Sequence, residues 1–350
     1  MKYQTLGQMK YGSEEIWFPL SEDILSWDED FHALMLNDEM RMTAYESAIK
    51  EVIKHDSIVV DIGTGTGILA QWALEAGAKK VYGIDVNKKI LELAQKRIEK
   101  ANLGGRFVPI NKISYEVELP EKADIILSEI LGNLGDNEDM TPILNDARKR
   151  FLLSGGVFIP KEIKTYLVPI SSQAIHKQII EKKCRSISVK YGLTDLLNKL
   201  GIKNQFDIYY DAVIPISSYL AKPALAKAFH FDGADEAVYQ TEIKYEIEKA
   251  GILTGVKGYF IANLSTNISL DISGDDIAER KTSDCWKHCY MPIEKPISVQ
   301  PHDIFQLNFS RSYPKEKLTP FRQFYGWDGK VFRNDKIIGE FRHGTHKVNL

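Results

Sequence analysis

Two stretches of this sequence place reactive residue types at spacings that chemistry needs. The first is Asp61-Ile-Gly-Thr-Gly-Thr-Gly67, followed by Asp85. Glycine lacks a Cβ, so a glycine turn lets backbone come close to a ligand. Asp85 lies 22 residues after Gly63, the distance at which an acid at the end of the next strand meets a ribose diol. A dinucleotide loop of the G-x-G-x-x-G type would need glycine at 68, where this chain has Ile68. The glycines fall at 63, 65 and 67 instead, a spacing with no demand for a pyrophosphate, and this opposes a nicotinamide dehydrogenase. The loop predicts S-adenosylmethionine as cofactor, with Asp61, Gly63, Gly65, Gly67 and Asp85 at its site. The plain alternative, that Gly63 and Gly65 serve a tight turn, leaves Gly67 and Asp85 unexplained.

The second stretch is Ser128-Glu-Ile-Leu-Gly-Asn-Leu-Gly-Asp-Asn-Glu-Asp-Met140. Gly132 and Gly135 permit a tight loop that returns Glu138 beside Glu129. Two carboxylates in one cleft repel unless a cation sits between them. A planar guanidinium, with five donors in a fork, suits that place. The competing reading is a solvated acidic loop.

These residues need a frame that brings them together. Residues 24–55 carry an apolar spacing near 3.6 and read as helix. Short apolar runs then alternate with helical ones. Strands are expected at Ser57–Asp61, Lys80–Asp85, Arg106–Ile110, Ala123–Ser128 and Gly156–Ile159, and helices at Ile68–Ala76, Lys88–Ala101 and Thr141–Phe151. This is the pattern of an α/β, doubly wound, Rossmann-like parallel sheet, whose ligand crevice lies at the carboxyl ends of its strands. After residue 161 the period becomes two, at 164–170, 237–247, 258–262, 268–272 and 304–309, which predicts an antiparallel β-barrel or sandwich. The expected division is a helical segment 1–55 closing over the cofactor, a cofactor domain 56–160 and a barrel-like substrate domain 161–350. A short helix at Leu193–Leu200 suggests an inserted arm at about 175–206.

The chain has 350 residues, 44% hydrophobic and 27% charged, with a net charge of −3. That lacks the basic excess of a nucleic-acid coat, so no nucleic-acid partner is expected. No run of eighteen apolar residues occurs and the first ten residues have no signal-peptide core, so no membrane association is expected. Three cysteines make no disulfide framework, and a cytoplasmic location is the simplest expectation. Cys285, His288 and Cys289 lack the fourth ligand and tight C-x-x-C pair of a zinc site, so no metal is expected.

Over roughly residues 30–310 the sequence resembles the protein arginine methyltransferase family. The family's two loop glutamates have eight residues between them, as Glu129 and Glu138 do. The segment His32-Ala-Leu-Met-Leu-Asn-Asp-Glu-Met-Arg-Met-Thr-Ala-Tyr45 matches the family's N-terminal motif. The wording around Glu129, at Ile159–Ser172 and at Pro292–Val299 is closer to the symmetric-dimethylating branch. The resemblance implies that Arg41 pairs with the cofactor's methionine carboxylate. It also implies that Asp38, one turn away, orients Arg41 or the substrate, and that Glu129 and Glu138 clamp a substrate guanidinium.

The chain departs from that pattern in places. Where the family often carries an adenine-binding acid, Ile113 or Ser114 stands, with Glu116 nearby. The family's Thr-His-Trp loop is Asp284-Cys285-Trp286, so Trp286 is kept and the histidine that would face Asp38 is lost. Met35 occupies a position that is phenylalanine in the symmetric branch and methionine in the asymmetric one, which favours a monomethyl or asymmetric dimethyl product. The family's Tyr-Phe-x-x-Tyr element is absent before His32, and Tyr11, Trp17 and Phe18 are its candidate stand-ins. The implied substrate is an arginine in a protein or peptide, or alternatively free arginine or another small guanidino metabolite. A catalytically inactive binding scaffold is the reading from another class. The family's habit and the arm imply a homodimer.

Overall fold

The structure, a computed structural model, describes residues 12–19, 21, 35–185, 192–277, 282–314 and 323–345. Strand β1 is Ile16–Trp17 and helix α1 is Glu39–Val52. The carboxylate of Asp38 starts α1 by accepting from the Arg41 backbone N–H at 3.1 Å. The part of the expected helix before residue 35, 24–34, lies outside the described residues.

The alternating region follows as β2 (Ile58–Ile62), α2 (Ile68–Glu75), β3 (Lys80–Asp85), α3 (Lys88–Lys100), β4 (Phe107–Asn111), β5 (Ala123–Ser128), α4 (Met140–Phe151) and β6 (Leu152–Ile159). The five strands form a parallel sheet in the order β4-β3-β2-β5-β6. Val59, Val60, Ile125, Ile126 and Leu127 are buried, as the near-continuous apolar runs of a sheet covered on both faces require. The chain reverses direction across the sheet between β2 and β5. The loops after these two strands, one carrying the glycines and the other Glu129, therefore flank the crevice.

Helix α3 buries Ile90, Leu91, Ala94 and Ile98. Gly67 stands against it. A Cβ on Gly67 would lie 2.7 Å from the Ala94 Cβ, and its φ of +76° already favours glycine. Gly67 thus lets two helices approach each other.

The parallel sheet ends at Ile159 and antiparallel pairing begins at Glu162. The second region contains β7 (Glu162–Ile170), α5 (Gln173–Ile180), α6 (Leu193–Leu200), β8 (Tyr210–Ala212), β9 (Ala224–Phe229), β10 (Tyr239–Glu246), β11 (Gly251–Asn263), β12 (Ser269–Asp271), β13 (His288–Val299), β14 (Ile304–Ser312), β15 (Phe324–Arg333) and β16 (Lys336–Gly344). One sheet runs β1-β8-β13-β11-β7-β9 with β12 on β11, and the other runs β10-β14-β15-β16. Burial alternates along β10, where Tyr239, Ile243 and Tyr245 face the core and Gln240, Glu242 and Lys244 face solvent.

Over its described residues, the stretch expected as an arm is docked on this second region. Ile175, Ile179, Leu193, Leu196 and Leu197 share a core with Ile16, Val168 and Tyr290. Trp17 and Phe18, suggested as part of a closing segment, are buried, and Ile16 and Trp17 pair with β8 instead. Tyr11 lies outside the described residues. Among the described residues no helix is long and apolar enough to cross a membrane.

Candidate active site

A cavity of about 400 Å³ opens at the carboxyl ends of β2, β3 and β5, within the range of about 300–1,000 Å³ that small-molecule sites occupy. Its wall includes Gly63, Gly65, Asp85 and Ser114 together with Met35, Arg41, Glu129, Glu138 and Trp286. The backbone N–H of Gly65 donates to Asp85 Oδ2 at 2.9 Å, and that of Asn87 donates to Oδ1 at 2.8 Å. These bonds fix the carboxylate, and each oxygen keeps a further lone pair for a ligand hydroxyl.

Three residues expected at the site stand behind its wall. Asp61 is fully buried and accepts the Thr64 hydroxyl at 2.6 Å, so it shapes the glycine turn from beneath. Gly67 packs on α3 as described above. Asp38 is buried and binds backbone. Its Oδ2 accepts from the Cys285 N–H at 3.0 Å and from the Ser283 hydroxyl. Ser283 and the Cys285 amide therefore occupy the place of a histidine partner for Asp38. Glu116 is exposed and off the wall, and its neighbour Tyr115 is on it.

The loop after β5 is narrow at its base. Gly132 and Gly135 pair across it, with the Gly135 N–H donating to the Gly132 carbonyl at 2.8 Å. A Cβ on Gly132 would overlap the Asn137 side chain at 2.2 Å. Asn137 in turn accepts from the Leu134 N–H at 2.9 Å. The antiparallel region grips this loop at several points. The Trp286 indole donates to the Leu131 carbonyl at 2.6 Å, Thr165 to the Leu134 carbonyl at 2.6 Å, and Asn133 to Asp211 Oδ1 at 2.6 Å. None of these grips was expected from the sequence, because donor and acceptor lie 31 to 155 residues apart.

Arg41 reaches into the site from the first turns of α1. It forms an ion pair with Glu129, donates to the Met35 carbonyl at 2.9 Å and lies 5.9 Å from the Trp286 ring centre. Its Nε is buried without a hydrogen-bond partner. Burial pushes Glu129 above the usual carboxyl range, and the Arg41 guanidinium opposes that push. Glu138 is pushed up to about 8, by burial first and then by the nearby Glu129 charge. The site thus holds one fixed cation against two carboxyl groups, and Glu138 keeps its proton at neutral pH. Asp61, beneath the wall, is pushed up to about 7 by burial, against the Thr64 hydroxyl.

This has a pH signature. A carboxyl group must be ionised to attract a second cation, and kcat/KM reports ionisations of the free enzyme. The expected kcat/KM for a guanidinium substrate rises with pH and levels off above about pH 8. The substrate itself does not titrate below about pH 12. Glu138→Gln removes the rise, while Asp61→Asn, as a control, keeps it. A flat profile from about pH 6.5 to 9 in the wild type contradicts the assignment. In the free protein the same shift costs stability as pH rises from the unfolded carboxyl value of about 4.3 toward about 8. Over that interval the folded state holds a proton that the unfolded chain has released.

Residues 162–335 match the family described as the PRMT5 oligomerisation domain, and residues 41–159 match that of the ribosomal protein L11 methyltransferase. Protein arginine N-methyltransferase 5 of Xenopus laevis is 25% identical over 328 residues, covering 88% of this chain and 48% of the relative. Protein arginine N-methyltransferase 1 of Dictyostelium discoideum is 36% identical over 179 residues, 47% of this chain and 52% of the relative. The chain thus spans about half the length of these curated relatives. A solved Trypanosoma brucei PRMT1 enzyme-prozyme heterotetrameric complex with AdoHcy shares the fold at a TM-score of 0.73 and 20% identity, covering 89% of this chain and 97% of that one. Arabidopsis thaliana protein arginine methyltransferase 10 shares it at 0.73 and 22%, covering 89% and 96%.

Proposed function

Because the chain belongs to the protein arginine methyltransferase family, we propose that it transfers methyl groups from S-adenosylmethionine to a terminal guanidinium nitrogen of arginine in a polypeptide. One observation carries this reading. Glu129 and Glu138 line the same cavity as Gly63, Gly65 and Asp85, so a guanidinium trap and a nucleoside site share one space.

The residues present fit the donor. Asp85 would hold the ribose hydroxyls, the Gly63–Gly65 turn would admit the nucleoside close to backbone, and Ile113, Ser114 and Tyr115 would wall the base. Arg41, with its buried and unpaired Nε, would take the amino-acid carboxylate. Bound there, the donor supplies an electrophilic methyl group on a sulfonium sulfur.

A guanidinium is a poor nucleophile, because its lone pairs are delocalised and its pKa exceeds about 12. Glu129 and Glu138 make it competent by orientation and electrostatics. Two carboxylates on one face draw positive charge toward the nitrogens they bind, leaving the remaining terminal nitrogen the most electron-rich and fixed in direction. That nitrogen sheds a proton once it carries the new carbon. Glu138, with its affinity for a proton raised by burial, accepts it. Trp286 and Met35 form the apolar wall along which the arginine methylenes lie.

The same reading divides the chain near residues 160–161 into a donor domain and a substrate domain, preceded by a segment to about residue 55 that covers the donor. It also makes the chain a homodimer, which the oligomerisation description of residues 162–335 supports. Sedimentation equilibrium would show twice the chain mass, and a monomer at micromolar concentration would remove that part.

The test of substrate class is direct. The purified protein should bind S-adenosylhomocysteine but not NAD by calorimetry, and should methylate an Arg-Gly-rich peptide faster than free arginine. Faster turnover of free arginine would move the assignment to small guanidino metabolites. NAD binding without S-adenosylhomocysteine binding would end it.

A further inference from the structure

We propose that Arg311 is a positioning residue that fixes Glu138 from the antiparallel region, through the two aspartates that flank it. The inference rests on the reading of Glu138 as half of a guanidinium clamp.

Arg311 sits on β14 in register with Phe305, Leu307 and Phe309, so the strand delivers its side chain to the core. It is fully buried. Its Nε lies 3.2 Å from Asp136 Oδ2 and its Nη2 lies 3.0 Å from Asp139 Oδ1. Nη1 also donates to the Ala237 carbonyl, and Nη2 to the Asp136 carbonyl at 3.4 Å. Asp136 receives the hydroxyls of Tyr239 at 3.0 Å and Tyr325 at 3.2 Å, and Asp139 receives that of Tyr313. The order in the chain is Asp136, Asn137, Glu138, Asp139. One guanidinium therefore pins the backbone on both sides of Glu138.

Two physical arguments make this more than packing. A buried arginine and its carboxylates give up hydration that their attraction only partly returns, so such a group is weak evidence of stabilisation and better evidence of a fixed geometry. Asp139 also adopts φ +63°, a left-handed conformation that costs a non-glycine residue some strain. Arg311 and Tyr313 hold its carboxylate in place. The grips at Leu131, Asn133 and Leu134 secure the first half of the loop. Arg311 secures the half that carries Glu138.

The test compares the wild type with Arg311→Lys, which keeps the charge but loses the fork, and with Tyr239→Phe combined with Tyr325→Phe. The double variant keeps the ring packing of Tyr239 and Tyr325 on Phe309 and removes two hydroxyls from Asp136. Three quantities are read: hydrogen exchange of residues 133–140, kcat per folded molecule on an Arg-Gly-rich peptide, and the dissociation constant of S-adenosylhomocysteine. In both variants loop exchange should rise by about tenfold or more while residues 58–62 keep their protection. The kcat should fall by about tenfold or more with S-adenosylhomocysteine affinity within about twofold. A purely structural role would lower the folded fraction and leave kcat per folded molecule unchanged, and that result overturns the proposal. Unchanged loop exchange in the double variant overturns it too. If Arg311→Lys does not fold, the double variant decides alone. If the wild type methylates no arginine substrate, the proposed function fails, and the exchange of residues 133–140 alone decides whether Arg311 fixes this loop.

Discussion

Glu129→Gln should lower kcat by about 10²–10³-fold, the loss typical when one preorganised electrostatic contact to a reacting group is removed, while the affinity for S-adenosylhomocysteine stays within a few-fold. The substitution keeps the size of the side chain and an oxygen that still accepts from Arg41, its partner in the unliganded site. What it removes is one of the two charges that the proposed clamp turns on an entering cation. Glu138 cannot replace it, because burial holds Glu138 up at about 8 until a cation arrives. The loss should therefore appear in kcat and in peptide affinity, measured by initial rates and by calorimetry on the same samples. Undiminished turnover would mean that the guanidinium is held elsewhere.

The complementary change is Arg41→Met. It removes a buried cation from the wall of the site and leaves Glu129 buried without its counter-charge. Breaking a buried pair on one side costs about 3–5 kcal/mol. Here the carboxyl group takes up a proton and escapes part of that penalty. In the proposed placement the donor's amino-acid carboxylate loses its partner at the same time, so the affinity for S-adenosylhomocysteine should fall by about 10²-fold or more, in keeping with the 2–5 kcal/mol typical of truncating one member of a buried charge pair. Calorimetry separates the two variants. Glu129→Gln leaves donor affinity nearly intact and Arg41→Met does not. Equal donor affinity in both would place the carboxylate away from Arg41.

The parallel sheet was largely legible, because its signals are local. A strand buried on both faces reads as an apolar run, and Lys80–Asp85 and Ala123–Ser128 have the bounds that their residues suggest. The antiparallel region was legible only where polar and apolar residues alternate without interruption. Strand β13 contains Pro292 and Pro296, which argue locally against a strand, and β15 contains Gly326 and Gly329, which read as turn. Both strands form because their neighbours across the sheet accept them, and that information is not in the strand itself. Strand β11 shows the same effect, running from Gly251 to Asn263 although only 258–262 alternates visibly.

At the site, residue types and spacing pointed to the glycine turn, Asp85 and the two glutamates. They did not distinguish a residue on the wall from one behind it. Asp61, Gly67 and Asp38 carry the right chemistry at the right spacing, yet they face Thr64, Ala94, and the Ser283 hydroxyl with the Cys285 amide. The partners that hold the glutamate loop were not legible at all. Arg311 lies 172 residues beyond Asp139, in a strand whose neighbouring inward residues are all apolar, and only closure of the fold brings them together.

The central claim is that this cavity places a methyl group on the terminal nitrogen of an arginine. Tandem mass spectrometry of an Arg-Gly-rich peptide, incubated with the protein and S-adenosylmethionine carrying a labelled methyl, tests it most directly. The expected result is the label on a terminal guanidino nitrogen of arginine, present with the wild type and at least about 10²-fold slower with Glu129→Gln. Label on any other residue, or equal labelling by both proteins, would contradict the account.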